Sequence, residues 1–160
     1  MPVLKTRQTS PLSIALYQPD IPQNTGTILR MGACLGLKVH IIEPTGFILS
    51  DTGLKRAGMD YLERAAMIRH VSFEAFNEWR ATEKKRLVLL TTKSEESYEE
   101  LSYSADDILL FGRESSGVPD TVHDVVDEQR TIPMVENMRS LNLACSVAMV
   151  AGEALRQIGS

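Results

Sequence analysis

Three stretches of this chain gather side chains that could do chemistry. "FGRESSGVP", residues 111–119, sets Arg113 and Glu114 between two glycines, Gly112 and Gly117. "PQNTGTILR", residues 22–30, carries Asn24, Gly26 and Arg30. "IPMVENMRSLNLACS", residues 132–146, brings Arg139, Ser140 and Asn142 up to an apolar run. Guanidinium, carboxylate and amide groups orient polar substrates and stabilise developing charge. Paired glycines mean a sharp turn, or a backbone that something bound approaches closely. Their spacing fits neither the phosphate-cradling GxxxxGK[ST] nor the dinucleotide-binding GxGxxG.

Other chemistries are poorly supplied. Ser115 and Ser116 have no histidine nearby in sequence and no GxSxG elbow, which argues against a hydrolase. His40, His70 and His123 lack metal-ligand spacing and read as structural or exposed, so no metal is expected. Cys34 and Cys145 have apolar neighbours and no CxxC spacing, the pattern of reduced core thiols. Each of the three stretches also has a plainer reading. Asn24 and Ser140 suit helix N-caps, Arg30 a surface, and Pro119 a first helical turn. Glu114 could pair with Arg113 or Arg139 at the surface for little energy.

The elements that must position these residues follow from periodicity. With 160 residues, 43% hydrophobic and 24% charged, the chain reads as one domain over 1–160, with a loose arm over 1–11. Strands are expected over 12–17, 38–43, 66–71, 86–91, 108–111 and 129–132. A helix carrying Ile28, Met31 and Leu35 closes at Gly36; shorter ones are expected around Leu54, over 73–80 and over 119–125. The acidic stretch 93–107 reads as a solvated helix and loops. The final segment is a helix, with Val147, Val150, Ala151, Ala154, Leu155 and Ile158 on a stripe wide enough for both a core and a subunit contact. Alternating strands and helices imply an α/β fold with a mainly parallel sheet, which collects ligands at the carboxyl ends of its strands.

The formal net charge of −4 argues weakly against a nucleic-acid partner. Its distribution changes that picture, because residues 1–80 hold nine basic against seven acidic side chains. A basic face remains available there, with Lys55 and Arg56 as candidate phosphate contacts beside Arg30. No run approaches the roughly 18 apolar residues of a membrane span, and nothing points to secretion. A cytoplasmic protein without a membrane partner is expected.

Taken in order, "NTGTILR", "FGRESSGVP" and "IPMVENMRSLNLACS" resemble the three motifs of the SPOUT-superfamily RNA 2′-O-methyltransferases, over about residues 12–157. Within that superfamily, "PDIPQNTG", "HIIEPTGF" and "RAGMDY" look most like the tRNA (cytidine/uridine-34) 2′-O-methyltransferases. The resemblance implies an α/β fold whose C-terminal third is a deep trefoil knot, a rare exception to the rule against knots. It implies a homodimer formed through the first and last helices, S-adenosylmethionine as methyl donor, S-adenosylhomocysteine as product, and no metal. The implied substrate is the wobble ribose of nucleotide 34, a cytidine or modified uridine of leucine tRNAs, reached in the anticodon stem-loop.

Residue by residue, the resemblance gives Leu90, Gly112, Ile132 and Ser140 to the cofactor, with Gly117, Met134 and Leu141 as further walls. It gives Asn24, Arg30, Glu114, Ser140 and Asn142 to catalysis. A guanidinium keeps its proton, so Arg30 is expected to orient a phosphate and stabilise alkoxide charge rather than act as a base. The family commonly has a polar pair where this chain has Ala144-Cys145. Two rival readings are a same-fold methyltransferase of another tRNA position or of rRNA, and a non-catalytic RNA- or cofactor-binding module. Arg30, Glu114 and Asn142 speak against the second.

Overall fold

Every residue of β1, Ser13–Tyr17, and of β5, Asp107–Phe111, is buried. Strands of that kind need cover on both faces, the situation of a parallel sheet flanked by helices. The computed structural model describes residues 6–56 and 59–159. It has one sheet of six parallel strands in the order β3-β2-β1-β5-β4-β6. The remaining strands are β2, Lys38–Ile42; β3, Met67–His70; β4, Arg86–Leu90; and β6, Glu128–Arg130. The helices are α1, Pro22–Leu35; α2, Asp51–Arg56; α3, Tyr61–Ala65; α4, Phe73–Thr82; α5, Asp120–His123; and α6, Leu143–Ile158.

Side chains alternate across this sheet. Ile14, Leu16, Leu109 and Phe111 join Ile28 and Leu29 of α1 and Val147, Val150 and Ala154 of α6 in one core layer. Ala15, Tyr17, Ile108 and Leu110 face the other way, onto Phe76 of α4 and Val122 of α5. His40 Nδ1 lies 2.9 Å from His70 Nε2, beside Phe76 and Trp79. Burial pushes the pKa of His40 down to about 3, so the ring is a neutral part of the packing.

Several expectations are corrected. The first helix begins at Pro22 with Ile21 as its cap position, so Asn24 lies inside the first turn rather than at the N-cap. Asn142, not Ser140, caps α6. A fifteen-residue acidic stretch carries buried Tyr98, Leu101 and Tyr103 around a single 3-10 turn, Tyr98–Glu100, so it is a packed segment rather than a solvated helix. Cys34 and Cys145 are exposed: apolar neighbours in sequence do not share a helix face. On α6 the stripe from Val147 to Leu155 is consumed by the core, and the outward face carries Cys145, Ala148, Met149 and Gly152. Of the arm expected over 1–11, residues 1–5 lie outside the described residues, as do Ala57 and Gly58 of "RAGMDY". Residues 6–11 form neither helix nor strand, and Ser10 N donates to Gly36 O.

The opposite edge of the sheet from the glycine loop is held by charge. Asp107 is fully buried and accepts Arg86 Nε at 2.8 Å and a terminal guanidinium nitrogen at 2.7 Å, across the β4–β5 register. Ser104 N adds a third bond at 2.8 Å. Removing one member of a buried pair strands the other. We expect Asp107→Ala to lower unfolding free energy by about 3 kcal/mol, read as a shifted midpoint in urea denaturation.

Candidate active site

A cleft of about 540 Å³ opens at the carboxyl ends of β4, β5 and β6, beside the start of α1. That position is the usual one for ligands in open α/β sheets, and the volume lies in the range of small-molecule sites. Leu90 leads into it from β4, Gly112 to Gly117 from β5, and Thr131, Ile132 and Met134 from the segment after β6. Ser140, Leu141 and Asn142 close it in front of α6, and Asn24 borders it from α1. All seven positions matched to the cofactor therefore share one wall. Leu90 and Leu141 stand among the polar Thr91, Thr131, Ser140 and Asn142 in this lining, the mixture usual in small-molecule sites.

The loop itself requires both glycines. Arg113 and Gly117 exchange both backbone hydrogen bonds, each at 2.9 Å, and fold the loop back on itself. A Cβ on Gly112 would fall 2.6 Å from the Cα and carbonyl carbon of Gly117. Gly117 itself sits at φ +66°, where a side chain strains the backbone. Gly112 thus lets the loop close, and a valine there would disturb the loop before it met any ligand.

Closure aims Glu114 at the start of α1, where its Oε2 accepts the N–H groups of Asp20 at 3.1 Å and Ile21 at 2.8 Å. Ser115 donates its hydroxyl to Asp20, and Arg113 lies 3.6 Å from the same carboxylate. Burial, then a hydrogen bond with Asp20, pushes the Glu114 carboxyl up to about 7. Nothing in the sequence distinguishes Asp20 beyond its place in the turn-rich segment after β1.

The third stretch is tied to the first by one side chain. Asn142 Oδ1 accepts Ala144 N at 2.8 Å and Cys145 N at 3.3 Å, capping α6, while its Nδ2 donates to Asn24 Oδ1 at 3.0 Å. Both orientations of the amide are thereby fixed. Arg30 lies elsewhere. It stands six residues beyond Asn24, about 9 Å along the helix axis. It borders a second hollow with Phe47, Leu54 and Met59, bonds Glu63 at 2.5 Å and lies 3.6 Å from Asp60. The Glu63 hydrogen bond raises the guanidinium pKa further, which deepens its unfitness as a base. Lys55 and Arg56 are exposed on the last turn of α2, whose Gly53 and Leu54 line the same hollow. Among the described residues no three His, Cys, Asp or Glu side chains are grouped to hold a metal ion.

Because Asn142 both caps and bridges, its replacements separate the two roles. Asn142→Ala should cost about 1 kcal/mol in chemical denaturation, whereas Asn142→Asp, which keeps the capping oxygen and loses the donor to Asn24, should retain most of that stability.

The model of the SpoU rRNA Methylase family matches residues 11–152. A tRNA (cytidine(34)-2'-O)-methyltransferase of Beijerinckia indica is 56% identical over 147 residues, covering 92% of each chain. The protein of that name from Escherichia coli K12 is 45% identical over 150 residues, covering 92% of this chain and 94% of its own. A solved structure concerned with 2-OH methylation of C/U34 on tRNA superposes with a TM-score of 0.82 at 43% identity, over 91% of this chain and 95% of that one. An AdoMet-bound rRNA methyltransferase of Sinorhizobium meliloti is 25% identical with a TM-score of 0.82, over 96% of this chain and 59% of that one. Across nearly its whole described length, then, this chain belongs to the SpoU methylase family.

Proposed function

We propose that this protein, acting as one domain in the cytoplasm, binds S-adenosylmethionine in the cleft. It methylates the ribose 2′-hydroxyl of tRNA nucleotide 34, a cytidine or modified uridine of leucine tRNAs. The observation that carries the reading is convergence: three stretches far apart in sequence line one cleft, in a chain 56% identical to a tRNA (cytidine(34)-2'-O)-methyltransferase. When bound, the donor supplies an electrophilic methyl group, and its transfer to the ribose oxygen leaves S-adenosylhomocysteine. The residues of this chain supply position and charge. Leu90, Gly112, Gly117, Ile132, Met134 and Leu141 wall the cofactor, and Ser140 offers a hydroxyl at the mouth. Glu114, Asn24 and Asn142 hold the loops in register. Residues 131–142, which lead from β6 into α6, form the knotted crossing that the family resemblance implies.

Arg30 serves the substrate by orienting a phosphate and stabilising charge on the ribose oxygen, with Lys55 and Arg56 extending the contact to the anticodon stem-loop. Since Arg30 borders a different hollow from the cofactor residues of its own chain, the enzyme acts as a homodimer to whose sites both copies contribute. Its contact surface is the outward strip of α6, where Met149 is 43% exposed and a Cβ on Gly152 would meet nothing.

Incubated with S-adenosylmethionine and bulk tRNA, the protein should add 2′-O-methyl groups at nucleotide 34, located by mass spectrometry of digested tRNA. Methyl groups on a base, or on a ribose outside the anticodon loop, would refute the substrate. Arg30→Ala should lower turnover about 10²-fold or more with little change in cofactor affinity by calorimetry. Gly152→Arg should give a monomer by light scattering and abolish methylation together with it; an active monomer would refute the shared site.

A further inference from the structure

Two carboxyl groups meet where the glycine loop touches the start of α1. One oxygen of each is fully engaged. Glu114 Oε2 accepts two backbone N–H groups, and Asp20 Oδ2 accepts the Ser115 hydroxyl and faces Arg113. The other oxygens, Glu114 Oε1 and Asp20 Oδ1, are buried without a hydrogen-bond partner. A buried polar atom without a partner is uncommon and demands a cause. Here two such atoms belong to neighbouring carboxyl groups, since Glu114 Oε2 accepts the N–H of Asp20 itself and Ser115, next to Glu114, reaches Asp20 Oδ2. Two carboxylates cannot bond each other, but a carboxylic acid and a carboxylate can.

We propose that Asp20 and Glu114 share a single proton, and that this proton latches the glycine loop to the entry of α1 and so sets the shape of the cleft. The inference rests on the cleft being the S-adenosylmethionine site proposed above. Both ends of the latch touch that cleft, since Glu114, Ser115 and Ile21 line it. The segment at Gly46 packs closely against Asp20 from the other side. A Cβ on Gly46 would come within 2.6 Å of the Asp20 Cβ, and Gly46 N bonds Pro19 O at 2.9 Å. Asp20 is therefore a positioning residue, acting through Glu114 and Ser115 on the loop.

The electrostatics fit the shared proton. Burial, then the Asp20 bond, raises Glu114 to about 7, while the Glu114 bond, then the Ser115 bond, lowers Asp20. Such groups titrate as a pair. Among the described residues the charged group facing them is Arg113, from the loop itself; Tyr17, at the end of β1, lies near that guanidinium and near Glu74 of α4. The N-terminal end of α1 adds its partial positive charge. Glu114 holds its proton in the folded state above its ordinary value of 4.5 and releases it near 7. The latch is thus intact below about 7, and its contribution is lost as pH rises through that value.

The test compares S-adenosylmethionine affinity of the full chain by calorimetry from about pH 6 to about pH 9 for wild type, Glu114→Gln and Asp20→Asn. Each amide puts a permanent N–H donor where the shared proton lies. Wild-type affinity should fall about tenfold more across this range than that of either variant. Titration of the cofactor's own amine appears equally in all three. Coincident profiles would overturn the latch while leaving the cofactor site standing. Absence of binding by wild type at every pH would overturn the site, and the latch's role with it. Carboxyl carbon NMR reads the proton without any ligand: a Glu114 midpoint near 7 supports the pair, and one near its ordinary value of 4.5 overturns it.

Discussion

Gly112 and Gly117 each exclude a side chain, the first because a Cβ would fall 2.6 Å from the Gly117 backbone, the second because of its positive φ. The loop between them closes through a pair of backbone hydrogen bonds, and everything around the cleft is hung from that closure. It points Glu114 and Ser115 at Asp20 and Ile21, which start α1. Asn24, on the first turn of that helix, reaches Asn142, which caps α6. Three segments far apart in sequence are joined by a short relay of polar contacts rather than by the hydrophobic core beneath them. The core supplies stability without direction. Directed bonds fix the geometry that positional catalysis needs.

The parallel sheet explains why the relay sits where it does. All six strands end on the same edge, so the segments leaving β1, β4, β5 and β6 emerge side by side. The interiors of the central strands β1, β5 and β4 are filled with Ala, Val, Leu and Ile. Polar groups accumulate in the connections, where backbone groups are still free to bind. At the opposite edge, Arg86 and Asp107 join the starts of β4 and β5, so each end of the central strands is pinned by polar contacts of its own.

Much of this was legible in the sequence, and the misses have identifiable causes. Strands β1, β2, β4 and β5 were readable because each is a short, largely apolar run. The short helix α3, Tyr61–Ala65, offers too few turns for a 3.6-residue period to emerge. For the cap of α6 the deciding cue was present: Asn142 directly precedes the first helical apolar residue, Leu143, whereas Ser140 stands two positions too early. Nothing local could reveal that Arg30 pairs with Glu63, 33 residues away, or that Asp20 meets Glu114, 94 residues away. Those contacts exist only once the sheet is assembled. The glycine pair was recognisable as demanding small residues, but a sequence does not disclose that Gly112 must make room for the backbone of Gly117.

The acidic stretch before β5 has a consequence of its own. β6 is the last strand on its side of the sheet and only three residues long. Just past its end, Thr131 N donates to Glu96 O and Tyr98 N to Thr131 O, so this stretch lies along the border as a guard rail. The charges of Glu96 and Glu128 sit on either side of Arg130. At the far border, β3 is four residues long and Arg69 is paired with Glu43. Short, covered and charged margins deny a neighbouring chain the straight ladder on which cross-molecular sheets grow. A sheet this apolar can therefore be kept at high concentration without zipping to its copies, leaving association to helical surfaces, where it can be specific.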